Sequence, residues 1–206
     1  VEKEEGVYGV LICGSANGIL DHVESQDVVT FTGSASTGKM LKSHDRLLNE
    51  SVPFNMEADS LNAAILGKDA TPDTEEFKLF IKEVRKEMTV KCGQKCTAVR
   101  RIIVPENLVE DVQIALSQAL AKTTIGDPQI EGVRMGSLAG KEQVNEVAER
   151  VQELMKESEI VFGGKDFEVT GANKADGAFA SPTLFLNSDP FNKTLVHEVE
   201  AFGPVS

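Results

Sequence analysis

The sequence predicts an α/β protein, and three observations carry that prediction. Short apolar runs rich in β-branched residues alternate with longer segments whose apolar residues recur at helical spacing. The helical segments carry recognisable start and stop residues. Apolar residues make up 41% of the 206 and charged residues 26%, the usage of an ordinary globular chain rather than a disordered one.

Taken in order, Gly6–Gly14 (GVYGVLICG) reads as a first buried strand and Val28–Thr32 (VVTFT) as a second, because apolar runs without alternation suit a parallel sheet covered on both faces. Val52–Met56 and Leu61–Leu66 read as further strands. Thr71 before Pro72 gives an N-cap and first-position pair, followed by Asp73, Glu75 and Glu76 in the first turn, where the helix dipole favours negative charge. Phe77, Phe80, Ile81, Val84 and Met88 then repeat at helical spacing, and Gly93 is the expected stop. Pro105 introduces a second amphipathic helix through Leu108, Val112, Leu116 and Leu120, and Val144, Val147, Val151 and Leu154 mark a third. Arg101–Val104, Ile160–Phe162 and Thr183–Leu186 are strand-like. The boundary between a strand-rich first part, 1–58, and a helix-rich second part, 59–206, falls near residues 57–60.

Charge narrows the function classes. With 21 basic and 33 acidic residues the net charge is −12, so a nucleic-acid or anionic-membrane partner is not expected. No apolar run approaches the roughly 20 residues of a spanning helix. Three scattered cysteines suit a reducing, cytoplasmic setting better than a disulfide framework.

Four segments can carry chemistry. Phe31–Lys39 (FTGSASTGK) follows a strand and opens a helix; glycines there let the backbone approach a phosphate, and first-turn N–H groups bind it. Gly33–Lys39 also fits P-loop spacing, but Met40 stands where that motif needs a Ser or Thr for magnesium. Glu57 is a lone carboxylate at a strand end, a candidate general base if burial raises its pKa. Cys96, in Gly93-Gln94-Lys95-Cys96, follows a helix terminator and lies in a run holding Lys91, Lys95, Arg100 and Arg101 without an acid; nearby cations favour the nucleophilic thiolate. Cys13, inside an apolar run, reads as an inert core thiol, and a Cys92–Cys96 metal pair lacks a nearby histidine. Glu200–Val205 (EAFGPV) is an acidic–aromatic–Gly-Pro turn. Two other readings stay open on these residues alone: a P-loop-like nucleotide-binding module using Gly33–Lys39, and a non-catalytic assembly domain with an inert Cys96.

Together and in this order, FTGS…GK at 31–39, Glu57, GQKC ending at Cys96 and EAFGPV at 200–205 resemble the aldehyde dehydrogenase superfamily. The wording FNMEADSLN, GQKCTAVRRIIVP and HEVEAFGPV is similar to the dehydrogenase domains of bifunctional phenylacetate-degradation enzymes, which also carry a hydratase-like domain. Where most of the superfamily has Glu-Leu-Gly-Gly-Lys, this chain has Glu57-Ala58-Asp59-Ser60-Leu61. The resemblance implies a three-layer catalytic domain (59–206) joined to the tail of a Rossmann-type cofactor domain (1–58). It implies Cys96 as nucleophile, Glu57 as the base that activates water, and Gly33 and Ser34 at the cofactor pyrophosphate. It further implies Glu200 on the nicotinamide ribose, Phe202 packed beside it, and no metal. The cofactor implied is NADP or NAD, the substrate a small aldehyde, possibly a CoA-linked semialdehyde, and the parent a homo-oligomer. The missing flanks of the family pattern make the chain look like an excised piece, expected to show little or no activity alone.

Overall fold

The computed structural model describes residues 18–164 and 166–206. The strand expected at Gly6–Gly14, with Cys13, lies outside the described residues. The chain divides into two compact units, Val1–Asp59 and Ser60–Ser206, each treated separately below.

In the first unit, β1 (Val29–Gly33) and β2 (Phe54–Ala58) pair in parallel, with Thr32 opposite Glu57 and Gly33 opposite Ala58. The crossover holds two helices, α1 (Ala35–Lys42) and α2 (Asp45–Asn49). Ser34 caps α1 by accepting the Thr37 N–H, and His44 caps α2 through the Arg46 N–H. Leu20, Leu47 and Val52 form the buried core of this unit. Gly38 lies inside α1, where an added Cβ would sit 2.3 Å from Met56 Sδ. That glycine lets the helix lie close on β2. A P-loop needs its second glycine and lysine at the loop-to-helix junction, but here Gly38 and Lys39 are one turn into the helix. The nucleotide-binding module based on Gly33–Lys39 is therefore not favoured.

The second unit is built on α3 (Glu75–Thr89), α4 (Val109–Ala121) and α5 (Lys141–Leu154). β3 (Asn62–Ile65) pairs in parallel with β4 (Val99–Ile103), and β5 (Glu159–Phe162) pairs antiparallel with β6 (Leu184–Leu186). Phe77, Ile81, Val84 and Met88 of α3 interlock with Leu108, Val112, Leu116 and Leu120 in one core cluster, the stripe pattern expected from spacing. A second cluster gathers Cys92, Ile125, Met135, Val147, Leu154, Ala201 and Val205.

Three boundaries differ from expectation, each for a local reason. The cap of α3 is Thr74, not Thr71: Thr74 Oγ1 accepts the Phe77 N–H at 3.2 Å, while Thr71 is turned by its own bond to Asp73 Oδ1 at 2.7 Å. The helix ends at Thr89, four residues before Gly93, because Lys91 and Cys92 both adopt left-handed φ of 53°. After Pro105 comes a single short turn, Glu106–Leu108, before α4 begins. No described helix is long and apolar enough to cross a membrane.

Candidate active site

The segment that leads to Cys96 is the most constrained backbone in the second unit. Lys91, Cys92 and Gly93 are three consecutive residues at positive φ: 53°, 53° and 70°. For a non-glycine residue such a conformation costs on the order of 1 kcal/mol or more, and it persists only where surrounding contacts impose it. Gly93 is required twice over. Its φ favours glycine, and an added Cβ would lie 2.2 Å from the Gly203 carbonyl oxygen. Gln94 fixes the next position by accepting the Ala139 N–H on its side-chain oxygen at 2.8 Å.

This turn sends the two cysteines to opposite environments. Cys92 is 1% exposed within the second core cluster, and burial pushes its thiol up to about 12. Cys96 is exposed. Its backbone carbonyl is pinned by two donors, Ser60 Oγ at 2.5 Å and Asn62 Nδ2 at 2.7 Å. Three of the four cations in the basic run around Cys96 have partners of their own. Lys95 is committed to Glu87 at 2.7 Å, Arg100 is buried on Glu200, and Arg101 donates to the Leu61 carbonyl at 2.8 Å. Lys91, the fourth cation of the run, is exposed.

Glu200 stands 11% exposed at its side chain. One carboxylate oxygen faces Arg100 Nε at 3.4 Å and the other accepts the Ser60 N–H at 3.1 Å. Arg100 also donates to the Gly203 carbonyl at 2.6 Å and the Gly93 carbonyl at 2.7 Å. Desolvation lowers the pKa of its guanidinium and the Glu200 charge opposes that shift. Phe202 is 39% exposed, with the Arg100 guanidinium 5.5 Å from its ring centre. Cys96, Glu200 and Phe202 therefore belong to one bonded constellation, joined by Ser60, Asn62 and Arg100. Sequence reasoning singled out Arg100 only as part of a basic run and did not single out Ser60 or Asn62, because their partners lie elsewhere in the chain, 34 residues away for Asn62 and 140 for Ser60.

In the first unit Gly33 and Ser34 form the exposed-to-half-buried turn between β1 and α1. Asp59, itself at φ 50°, closes the turn by donating its N–H to the Gly33 carbonyl at 3.3 Å and accepting the Ala35 N–H on Oδ1 at 2.9 Å. The superfamily's usual glycine is thus replaced by a residue that tolerates left-handed φ and caps the helix. Glu57 lies one residue from the end of β2 and is exposed.

The sequence profile of the aldehyde dehydrogenase family matches residues 4–206. A 3,4-dehydroadipyl-CoA semialdehyde dehydrogenase of Aromatoleum evansii is 47% identical over 197 residues, covering 95% of this chain and 38% of that protein. The crystal structure of a betaine aldehyde dehydrogenase from Staphylococcus aureus in complex with NAD+ superposes with a TM-score of 0.74 at 27% identity, covering 87% of this chain and 34% of that one. The chain thus spans about two fifths of the length of the relative and about a third of the solved structure.

Proposed function

Because the chain belongs to the aldehyde dehydrogenase family, we propose that the protein oxidises an aldehyde to a carboxylic acid through a thioester on Cys96. The observation that carries the proposal is the exposed Cys96 on a backbone carbonyl fixed by Ser60 and Asn62. A positioned nucleophile forms a covalent bond at a fraction of the entropic cost of a mobile one.

The Cys96 thiolate adds to the aldehyde carbon to give a thiohemiacetal, and the Cys96 backbone N–H helps to hold its oxyanion. A bound NADP or NAD supplies the hydride acceptor. Once the substrate is oxidised, Glu57 draws a proton from water, which attacks the thioester and releases the acid and the Cys96 thiol.

The residues fit such a cofactor. Gly33 and Ser34 offer a backbone and hydroxyl turn at a helix start to the pyrophosphate. A carboxylate has about four lone-pair sites, and Glu200 uses one on Arg100 and one on Ser60, so acceptor capacity remains for ribose hydroxyls. Phe202 provides an exposed ring beside it. We read residues 1–58 as the tail of the cofactor domain and 59–206 as catalytic domain, in a cytoplasmic homo-oligomer. The substrate we favour is a CoA-linked semialdehyde of aromatic-ring catabolism, the chemistry named for the Aromatoleum evansii relative.

The test, run on the full-length gene product, is aldehyde-dependent formation of reduced nicotinamide, comparing a CoA-linked semialdehyde with betaine aldehyde and simple aliphatic aldehydes. A higher kcat/KM for the CoA-linked substrate is expected. Absence of turnover with every aldehyde, under either cofactor, overturns the proposal.

A further inference from the structure

Arg100 is a charged side chain buried in a strand, 4% exposed, and a buried cation is tolerated where it is paired and hydrogen-bonded. Its donors go to two segments that are distant in sequence. Nη2 takes the Gly93 carbonyl at 2.7 Å, the last residue of the left-handed turn. Nη1 takes the Gly203 carbonyl at 2.6 Å, and Nε faces Glu200 at 3.4 Å. The two glycines press together so closely that no side chain fits between them. Two carbonyl oxygens gathered there need a shared donor, and a planar guanidinium supplies a fork of the right shape.

We propose that Arg100 is a positioning residue for the nucleophile: it latches the strained Lys91–Gly93 turn onto the Glu200–Gly203 loop and so fixes where the Cys96 sulfur stands. The latch is closed at its other end. Glu200, held by Arg100, accepts the Ser60 N–H, and the Ser60 hydroxyl donates to the Cys96 carbonyl. Gly93 is therefore tied by Arg100 directly, and Cys96 is tied through Glu200 and Ser60, so both ends of the four-residue segment are held by one circuit. Without the fork, a turn with two non-glycine residues at positive φ loses the bonds that impose it. Cys92 then leaves its pocket, because it is the middle residue of that turn.

The catalytic consequence rests on Cys96 being the nucleophile, but the latch itself is read by thiol chemistry. Native-state alkylation by iodoacetamide, followed peptide by peptide with mass spectrometry, is compared in the wild type, Arg100→Gln, Arg100→Lys and Leu116→Ala. Leu116 belongs to the other core cluster, so its variant loosens the fold without touching the latch. Cys92 is expected to label about tenfold faster or more in both Arg100 variants, since local opening scales exponentially with lost free energy. The Leu116 variant should keep Cys92 near the wild-type rate. Lysine restores the charge but not the two-carbonyl fork, so protection returned in full by Arg100→Lys would overturn the latch. Unchanged Cys92 labelling in the Arg100 variants would overturn it equally, as would the same acceleration in Leu116→Ala. If Arg100→Gln does not fold, Arg100→Lys alone decides by the same criterion. In the aldehyde assay both Arg100 variants should lose kcat more than KM rises. A wild type inactive on all aldehydes would sink the functional proposal while leaving the labelling result to stand.

Discussion

Cys92 and Cys96 are four residues apart and meet opposite surroundings, one in an apolar cluster and one in solvent. Their separation by a left-handed turn makes the consequences of substitution specific. Cys96→Ala should abolish aldehyde oxidation while leaving the fold unchanged, as seen by identical circular dichroism. Glu57→Gln should preserve the first burst of reduced nicotinamide and slow the later steady state by about 10²–10⁴-fold, the usual loss on removing a general base. A wild-type steady state in that variant would remove Glu57 from the mechanism. Gly93→Ala combines a forbidden contact with an unfavourable φ. It should cost at least about 1–3 kcal/mol in denaturant unfolding, because the obstructing atom is backbone and cannot swing away.

At the scale of elements, the Thr74 cap of α3 is worth about 1 kcal/mol, so Thr74→Ala should lower unfolding stability by that amount while Thr71→Ala changes it little. The comparison checks the observed boundary against the one a Thr-Pro pair suggests. The apolar stripes were legible because packing periodicity is written locally: Phe77, Ile81, Val84 and Met88 occupy the buried face that their spacing implies. The strand runs were legible for the same reason, and β1, β2, β3 and β4 fall within two residues of expectation at each end. Element ends were less so. The stop of α3 is decided by Arg100 and Gly203, which grip Gly93 from other segments, and no local pattern announces a run of positive φ. The short helix α2, capped by a histidine side chain, also lacks a strong signal. Of the candidate site, Cys96 and Glu200 were singled out from their motifs, and the roles of Arg100, Ser60 and Asn62 were not, since those roles lie in bonds to other segments that span up to 140 residues.

At the scale of the whole molecule, the formal charge of −12 sets a background that favours solubility without assigning a partner. Stability against pH is governed by particular groups, and Cys92 is one whose effect has a defined sign. Its ordinary thiol pKa is 9.0, and burial raises it to about 12 in the folded protein. Below pH 9 both folded and unfolded states hold the proton, and the group contributes no slope. Between about 9 and about 12 the unfolded chain releases the proton and the folded protein keeps it. The unfolded state then binds fewer protons, and stability falls by up to about 1.4 kcal/mol per pH unit. The contribution is isolated by difference. Cys92→Ala removes the titrating group at the expense of a small cavity, which lowers stability by an amount that does not depend on pH. Denaturant unfolding of both proteins at intervals from pH 7 to pH 11 should show a constant gap up to about pH 9. Above it the gap should narrow, because the wild type loses stability that the variant does not. A gap that stays constant throughout would mean that the thiol ionises as readily in the folded protein as in the unfolded chain, and that the pocket around the left-handed turn is open to water.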